Sequence, residues 1–289
     1  MANNPETQHK ILTITCPDGP GIVAAVTGML SANGANITEA AQYGDPDTGR
    51  FFQRIVFTPG PGIAREAGFA AAFAPVAERF GMDWTLHDEG ARAKAVIAVS
   101  KIGHCLADLL HRQHSGDSAI DICAVVSNHE DMRGLVEWHG IPYHYLPVTA
   151  ETKPRQEEKI LAVIEEAGAE LLVLARYMQI LTAPTGEKLA GRCINIHHAF
   201  LPGFKGARPY HRAHERGVKL IGATAHYVTP DLDEGPIIEQ AVERVDHTHT
   251  PADLIAVGRD IECAVLARAV RWHAERRVLL NGIKTAVFR

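Results

Sequence analysis

The chain has 289 residues, 46 % of them hydrophobic and 22 % charged, with a formal net charge of −5. That is ordinary globular composition, with enough chain to bury a substantial core and a length that suggests about two domains of roughly 150 residues. The acidic balance, without a block of Lys or Arg, argues against a nucleic-acid or membrane surface, and no apolar run of ~18 residues offers a membrane span.

MANNPETQHK at the start carries no apolar signal-peptide core, so a cytoplasmic protein is expected. Five cysteines, Cys16, Cys105, Cys123, Cys193 and Cys263, are scattered and include no C-x-x-C pair. This fits reduced thiols rather than disulfides or a structural zinc site.

ILTITC (11–16) is a β-rich run stopped by the turn cluster Pro17-Asp18-Gly19-Pro20-Gly21. Ile22, Val23, Val26, Met29 and Leu30 then recur on a 3.6-residue period, predicting a helix over 22–33 that Gly34 terminates. ANITEAAQY and RFFQRIVF read as strands joined by the turn-rich GDPDTG. Phe69, Phe73, Val76 and Phe80 mark a second helix, in which Pro75 predicts a kink or a break. MDWTLH closes the unit. The order βαββαβ is ferredoxin-like.

A polar stretch, HDEGARAK, predicts a boundary: an N-terminal unit over 1–87, a linker over 88–94 and a second domain over 95–289. Beyond it AVIAVS, DICAVVSN, PYHYLPV and LLVLARY are continuous apolar runs separated by helical patterns. That alternation predicts an α/β domain with a mostly parallel sheet covered on both faces. CINIHH, ATAHYVT and GPIIEQAVERV follow as strands. A long helix then runs from about Pro251 to Arg276, with Thr250 as its N-cap and proline in the first turn.

On a strand CINIHH, Asn195 and His197 project from one face, while Ile194, Ile196 and His198 point the other way. An Asn amide is a neutral donor suited to an oxyanion, and His carries protons near neutral pH, so the pair suits attack on a carbonyl carbon. The turn at Leu201-Pro202-Gly203 lies just past the strand end, where open α/β sheets place ligands. A structural alternative stays open, in which both side chains merely hydrogen-bond loop backbone. Metal binding is the competing chemistry, suggested by His197-His198, His211-x-x-His214 and His247-x-His249. Adjacent strand histidines point apart, however, and no H-x-x-x-H helix spacing occurs, so no metal is expected.

INIHHAFLPGFKGARPYHRAHERG followed by GATAHYVTPDLDEGPIIEQ resembles the signature of the folate-dependent formyltransferases, with RYMQIL (176–181) similar to that family's folate-pocket segment. The resemblance implies a Rossmann-like catalytic domain in which Asn195, His197 and Asp233 are catalytic. It implies folate contacts from Met178, Gln179, Leu181, Gly206 and Glu234, although the family often has Arg where Gln179 stands. Asp18-Gly19-Pro20-Gly21 and Asn36-Ile37 resemble the ligand motifs of ACT domains, which bind small ligands at paired interfaces. An ACT unit joined to a formyltransferase core is similar to the layout of the formyltetrahydrofolate deformylases. That layout implies hydrolysis of 10-formyltetrahydrofolate to tetrahydrofolate and formate, feeding purine synthesis and balancing one-carbon pools. It implies no cofactor besides the folate substrate, glycine and methionine as opposing effectors, and a homo-oligomer (dimer or tetramer).

One local feature bears on the acceptor. The formyltransferases that act on a ribonucleotide resemble one another in a Gly/Ser/Asn-rich phosphate loop after the first strand, where backbone N–H groups hold the anion. Here that place reads AVIAVSKIGHCLADLL, with one glycine, Gly103, beside the bulkier Ile102, His104, Cys105 and Leu106. Water is therefore favoured as acceptor over a phosphorylated amine. The expected chemistry has Asp233 activating water through or beside His197, and Asn195 and His197 stabilising the oxyanion; His226 is read as a strand histidine satisfied by backbone, with a supporting role behind the catalytic residues as the alternative. A formyltransferase with a small amine acceptor and a non-catalytic folate or amino-acid sensor remain as alternatives.

Overall fold

The computed structural model describes residues 9–203 and 209–289 and divides into two compact units. One contains the chain up to Ala91 together with Glu275–Arg289; the other is Arg92–Ala274. No helix among the described residues is long and apolar enough to cross a membrane.

In the first unit β1 (Lys10–Pro17), α1 (Ile22–Ala32), β2 (Asn36–Asp45), β3 (Arg50–Thr58), α2 (Glu66–Phe80) and β4 (Asp83–Asp88) follow the ferredoxin-like order. The sheet runs β2-β3-β1-β4, with antiparallel pairings throughout. Alternation on β1 places Leu12, Ile14 and Cys16 on the face that packs against Ile22, Val26 and Leu30 of α1 and Phe69 and Phe73 of α2. Gly34 takes a left-handed φ of 72° just beyond α1, which a side chain would resist. The helix α2 does not break at Pro75. That residue sits on the exposed side, while the buried stripe of Phe69, Phe73 and Ala77 holds the helix against the core.

Two expectations about the boundary need correction. His87 and Asp88 pair with Ile11 and Lys10 as the end of β4, and the next strand starts at Ala93, so only 89–92 connect the two. The last fifteen residues, expected in the catalytic domain, cluster with the first unit. There Val278–Asn281 and Lys284–Val287 form a hairpin, and Leu279, Ala286 and Phe288 pack on Phe52. This explains why β3 is buried along both faces. Even Arg54 is buried, where it bonds Glu39 at 2.7 Å and the Glu275 carbonyl at 3.2 Å.

The second unit holds β5 (Ala93–Val99), α3 (His104–Ser115), β6 (Ile120–Ser127), α4 (Arg133–Trp138), β7 (Tyr143–Tyr145), α5 (Lys153–Glu166), β8 (Leu171–Leu174) and α6 (Ala183–Lys188). It continues with β9 (Cys193–His197), α7 (Pro209–Arg216), β10 (Leu220–Tyr227), β11 (Ile237–Arg244) and α8 (Pro251–Ala274). Its sheet runs β11-β10-β9-β8-β5-β6-β7, parallel from β9 to β7 and antiparallel for β10 and β11. The strands β5, β6 and β8 are almost wholly apolar because helices cover both faces. The helix α8 starts as read: Thr250 N–H donates to Asp253 Oδ2 (2.8 Å), and Asp253 N–H donates back to Thr250 Oγ1 (3.3 Å). Chain order reverses between β5 and β8, which opens a crevice at their carboxyl ends.

Candidate active site

A cavity of 570 Å³ occupies that crevice. Its lining includes Asn195 and His197 from β9, Met178, Gln179 and Leu181 from the loop after β8, and Asp233 from the loop after β10. Two tethers hold its rim. Met178 N–H donates to Ser100 Oγ (3.0 Å) at the end of β5, and Thr224 Oγ1 both accepts from Leu201 N–H (3.0 Å) and donates to the Ala199 carbonyl (2.9 Å).

The three residues expected to be catalytic converge. His197 Nδ1 lies 3.3 Å from Asp233 Oδ1, and Asn195 Nδ2 lies 3.2 Å from His226 Nε2, which is itself 3.9 Å from the same Asp233 oxygen. The hydrogen bond from His197 holds the Asp233 carboxyl below the ordinary aspartate range, against the opposing effect of burial. His226 is shifted down by burial and is therefore neutral at pH 7. Its Nδ1–H donates to the Tyr227 carbonyl (2.9 Å), so Nε2 carries the lone pair that accepts from the Asn195 amide. The histidine read as satisfied by backbone is so satisfied, and it also orients Asn195. His197 Nε2 is buried without a hydrogen-bond partner among the described residues.

Asp233 reaches inward from a left-handed backbone, φ 57°, of the kind that costs a non-glycine residue about 1–3 kcal/mol. Gly235 lets the loop close on β10: a Cβ there would stand 1.7 Å from the Tyr227 carbonyl oxygen. Glu234, next in the chain, is exposed and is not among the residues that line the cavity. Gly206 lies outside the described residues.

In the first unit Asp18, Gly19, Pro20 and Gly21 form the exposed turn between β1 and α1, with Gly21 at φ 89°, and Asn36 and Ile37 open β2.

A second polar cluster lines the cavity that the sequence did not reveal. Glu262 of α8, with its side chain 2 % exposed, accepts from His104 Nε2 at 2.7 Å and from the Tyr210 hydroxyl at 2.8 Å, with Arg176 Nε 3.5 Å away. Arg176 NH1 also donates to His198 Nδ1 (2.6 Å), whose ring stacks on His197 at 4.9 Å. Burial would raise the Glu262 carboxyl, but His104, Arg176 and Tyr210 outweigh it and hold it below the usual glutamate range. Gly258, one turn earlier on α8, leaves room for the Tyr210 hydroxyl, since a Cβ there would lie 2.1 Å from it.

The histidine groups that looked like metal ligands in sequence do not assemble into one among the described residues. The donor group that does come together is His104, Cys105 and Cys263, with ligand atoms within 4.8 Å of one another.

Comparison with known proteins agrees with this architecture. The Formyl transferase family profile matches residues 93–270, and the ACT domain profile matches residues 10–67. A formyltetrahydrofolate deformylase of Corynebacterium sp. (strain P-1) is 52 % identical over 98 % of this chain and 99 % of its own. The crystal structure of a formyltetrahydrofolate deformylase from Burkholderia mallei superposes with a TM-score of 0.93 at 54 % identity, covering 98 % of this chain and all of that one. A glycinamide ribonucleotide transformylase from Symbiobacterium toebii is 28 % identical with a TM-score of 0.66, over 71 % of this chain and 98 % of its own. With ACT and formyltransferase regions in one chain and full-length relatives at this identity, the chain belongs to the formyltetrahydrofolate deformylase family.

Proposed function

We propose that this chain hydrolyses 10-formyltetrahydrofolate to tetrahydrofolate and formate, and that Asn195, His197 and Asp233 carry the reaction. The observation that supports this best is the placement of His197 against Asp233 at 3.3 Å beside Asn195 in one cavity. Asp233, ionised at neutral pH, orients a water molecule and takes its proton as the oxygen attacks the formyl carbon. Charge then develops on the formyl oxygen. The second N–H of the Asn195 amide, left over from the bond to His226, is a preorganised donor for it. In its protonated form His197 offers Nε2–H to the same oxygen or to the folate nitrogen, whose bond to carbon breaks to release formate.

Met178, Ile180 and Leu232 are large apolar side chains that line the cavity yet remain exposed. Such a surface suits the flat rings of a folate, where Met178, Gln179 and Leu181 take the contact roles assigned by resemblance. The reading calls on no cofactor and no metal. It places the enzyme in the cytoplasm as a homo-oligomer serving purine synthesis. The exposed turn Asp18–Gly21 and the start of β2 at Asn36 and Ile37 are the seat for amino-acid effectors such as glycine and methionine.

Anaerobic incubation of the purified protein with 10-formyltetrahydrofolate, without any amine acceptor, is expected to release formate and tetrahydrofolate in equal amounts. Folate binding without formate release would sink the hydrolytic reading. Gly235→Ala is expected to push the Asp233 loop off β10 and, for a displacement of about 1 Å, to lower kcat on the order of 100-fold. A kcat within a factor of about two of the parent would show that the loop has slack which the contact distance denies.

A further inference from the structure

Helices α3 and α8 carry a donor group that the hydrolysis proposed above leaves unused. His104 and Cys105 open α3, and Cys263 follows Glu262 on α8, which packs against α3. Their donor atoms, a ring nitrogen and two sulfurs, lie within 4.8 Å of one another. In a tetrahedral zinc site, with bonds of roughly 2.0–2.3 Å, neighbouring ligand atoms stand about 3.5–4 Å apart, so movements of about 1 Å close the set. Cys105 is buried, whereas Cys263 is only partly covered.

The His104 ring is already held as a ligand would be. Its Nε2 lies 2.7 Å from the Glu262 carboxylate, which His104, Arg176 and Tyr210 keep ionised against the effect of burial. A neutral ring that donates Nε2–H to this carboxylate carries its lone pair on Nδ1. That Nδ1 is buried and has no hydrogen-bond partner among the described residues. A buried polar atom is ordinarily paired, and metal-binding histidines characteristically donate their other ring N–H to a carboxylate.

We propose that His104 Nδ1, Cys105 Sγ and Cys263 Sγ bind a thiophilic divalent cation of the zinc class, with Glu262 fixing the histidine and water as the fourth ligand. The site shares no ligand with Asn195, His197 and Asp233. Thiolate donors select zinc or cobalt over magnesium or calcium. Hydrogen bonding with Cys263 and burial raise the Cys105 thiol above its ordinary range, so the cation enters by displacing protons. Both thiols lose theirs to solvent as the two sulfur–metal bonds form. Charge then balances. Two thiolates match the dication, and Arg176, 3.5 Å from Glu262, matches that carboxylate. Arg259 lines the cavity one turn before Cys263 and opposes a bare cation, but a metal dithiolate carries no net charge for it to repel.

The test uses the full chain, stripped with a chelator, kept anaerobic with a phosphine reductant, and titrated with cobalt(II) and then zinc(II). The parent is expected to take up about one cobalt ion per chain, with a sulfur-to-cobalt charge-transfer band and the visible bands of a tetrahedral site, all lost as zinc displaces the cobalt. Cys263→Ser should lower the charge-transfer intensity by about half or more and weaken zinc binding by about 100-fold or more, beyond what an outer partner contributes. Glu262→Gln should keep the charge-transfer band and weaken binding by about 10- to 100-fold. Cys123→Ser, which removes the other partly covered thiol, should match the parent. Circular dichroism verifies folding, and Cys105→Ser takes the place of Cys263→Ser if that variant does not fold. A parent without the charge-transfer band, an unchanged band in the folded cysteine variant, or a band lost with Cys123→Ser overturns the proposal. These titrations read metal and sulfur alone, so they are independent of the hydrolytic reading.

Discussion

Asp233→Asn is expected to lower kcat for formate release by about 1,000-fold or more, at the upper end of what a positioned general base contributes. Asparagine nearly matches the shape of the carboxylate, so the 3.3 Å contact with His197 and the fold should survive while proton acceptance is lost. The pH profile gives an independent check. His197 holds the Asp233 carboxyl below its ordinary range, so the carboxylate persists as pH falls through ~3.9, the unperturbed value. Loss of activity from protonating Asp233 therefore sets in only below that point, and the variant should lack this acid limb. A variant with near-parental kcat would remove Asp233 from the chemistry, and another base would have to be sought.

Asn195→Ala is expected to reduce kcat by about 100- to 1,000-fold, or about 2.7–4 kcal/mol, with KM changed far less. The reasoning is differential binding. The Asn195 amide is fixed by the neutral His226, and its remaining N–H gains strength only as charge builds on the formyl oxygen. His226→Ala should act through the same amide by freeing it to rotate, so the double variant should lose much less than the product of the single effects. Multiplicative losses from Asn195 and His226 would mean that the two side chains work independently. A rise in KM with unchanged kcat would recast Asn195 as a ground-state contact.

Much of this architecture was legible in the residues. Period-2 and period-3.6 patterns carried the βαββαβ order and the apolar strands of the second unit, since burial on one or two faces leaves a local trace. Asn195 and His197 stood out as a polar pair on an apolar strand. What the D-x-G pattern did not show was the backbone that carries Asp233, a left-handed conformation at a non-glycine residue. The Glu262 cluster escaped notice because His104, Arg176, Tyr210 and Glu262 come from four separate segments. Its one trace was a carboxylate on the buried stripe of α8 formed by Leu254, Gly258, Glu262, Val265 and Ala269.

The hairpin at the end of the chain has a consequence for how this molecule is built. Because Leu279, Ala286 and Phe288 cover Phe52 on β3, the first unit is discontinuous, and the formyltransferase domain is an insertion between β4 and its last two strands. During synthesis the inserted domain, continuous from Arg92 to Ala274, can assemble as soon as it emerges, whereas the unit begun first is the last to be completed. An N-terminal fragment cut at the connection would expose the outer face of β3 and leave Arg54 without the Glu275 carbonyl. An excised first unit must therefore be a fusion of the two chain ends.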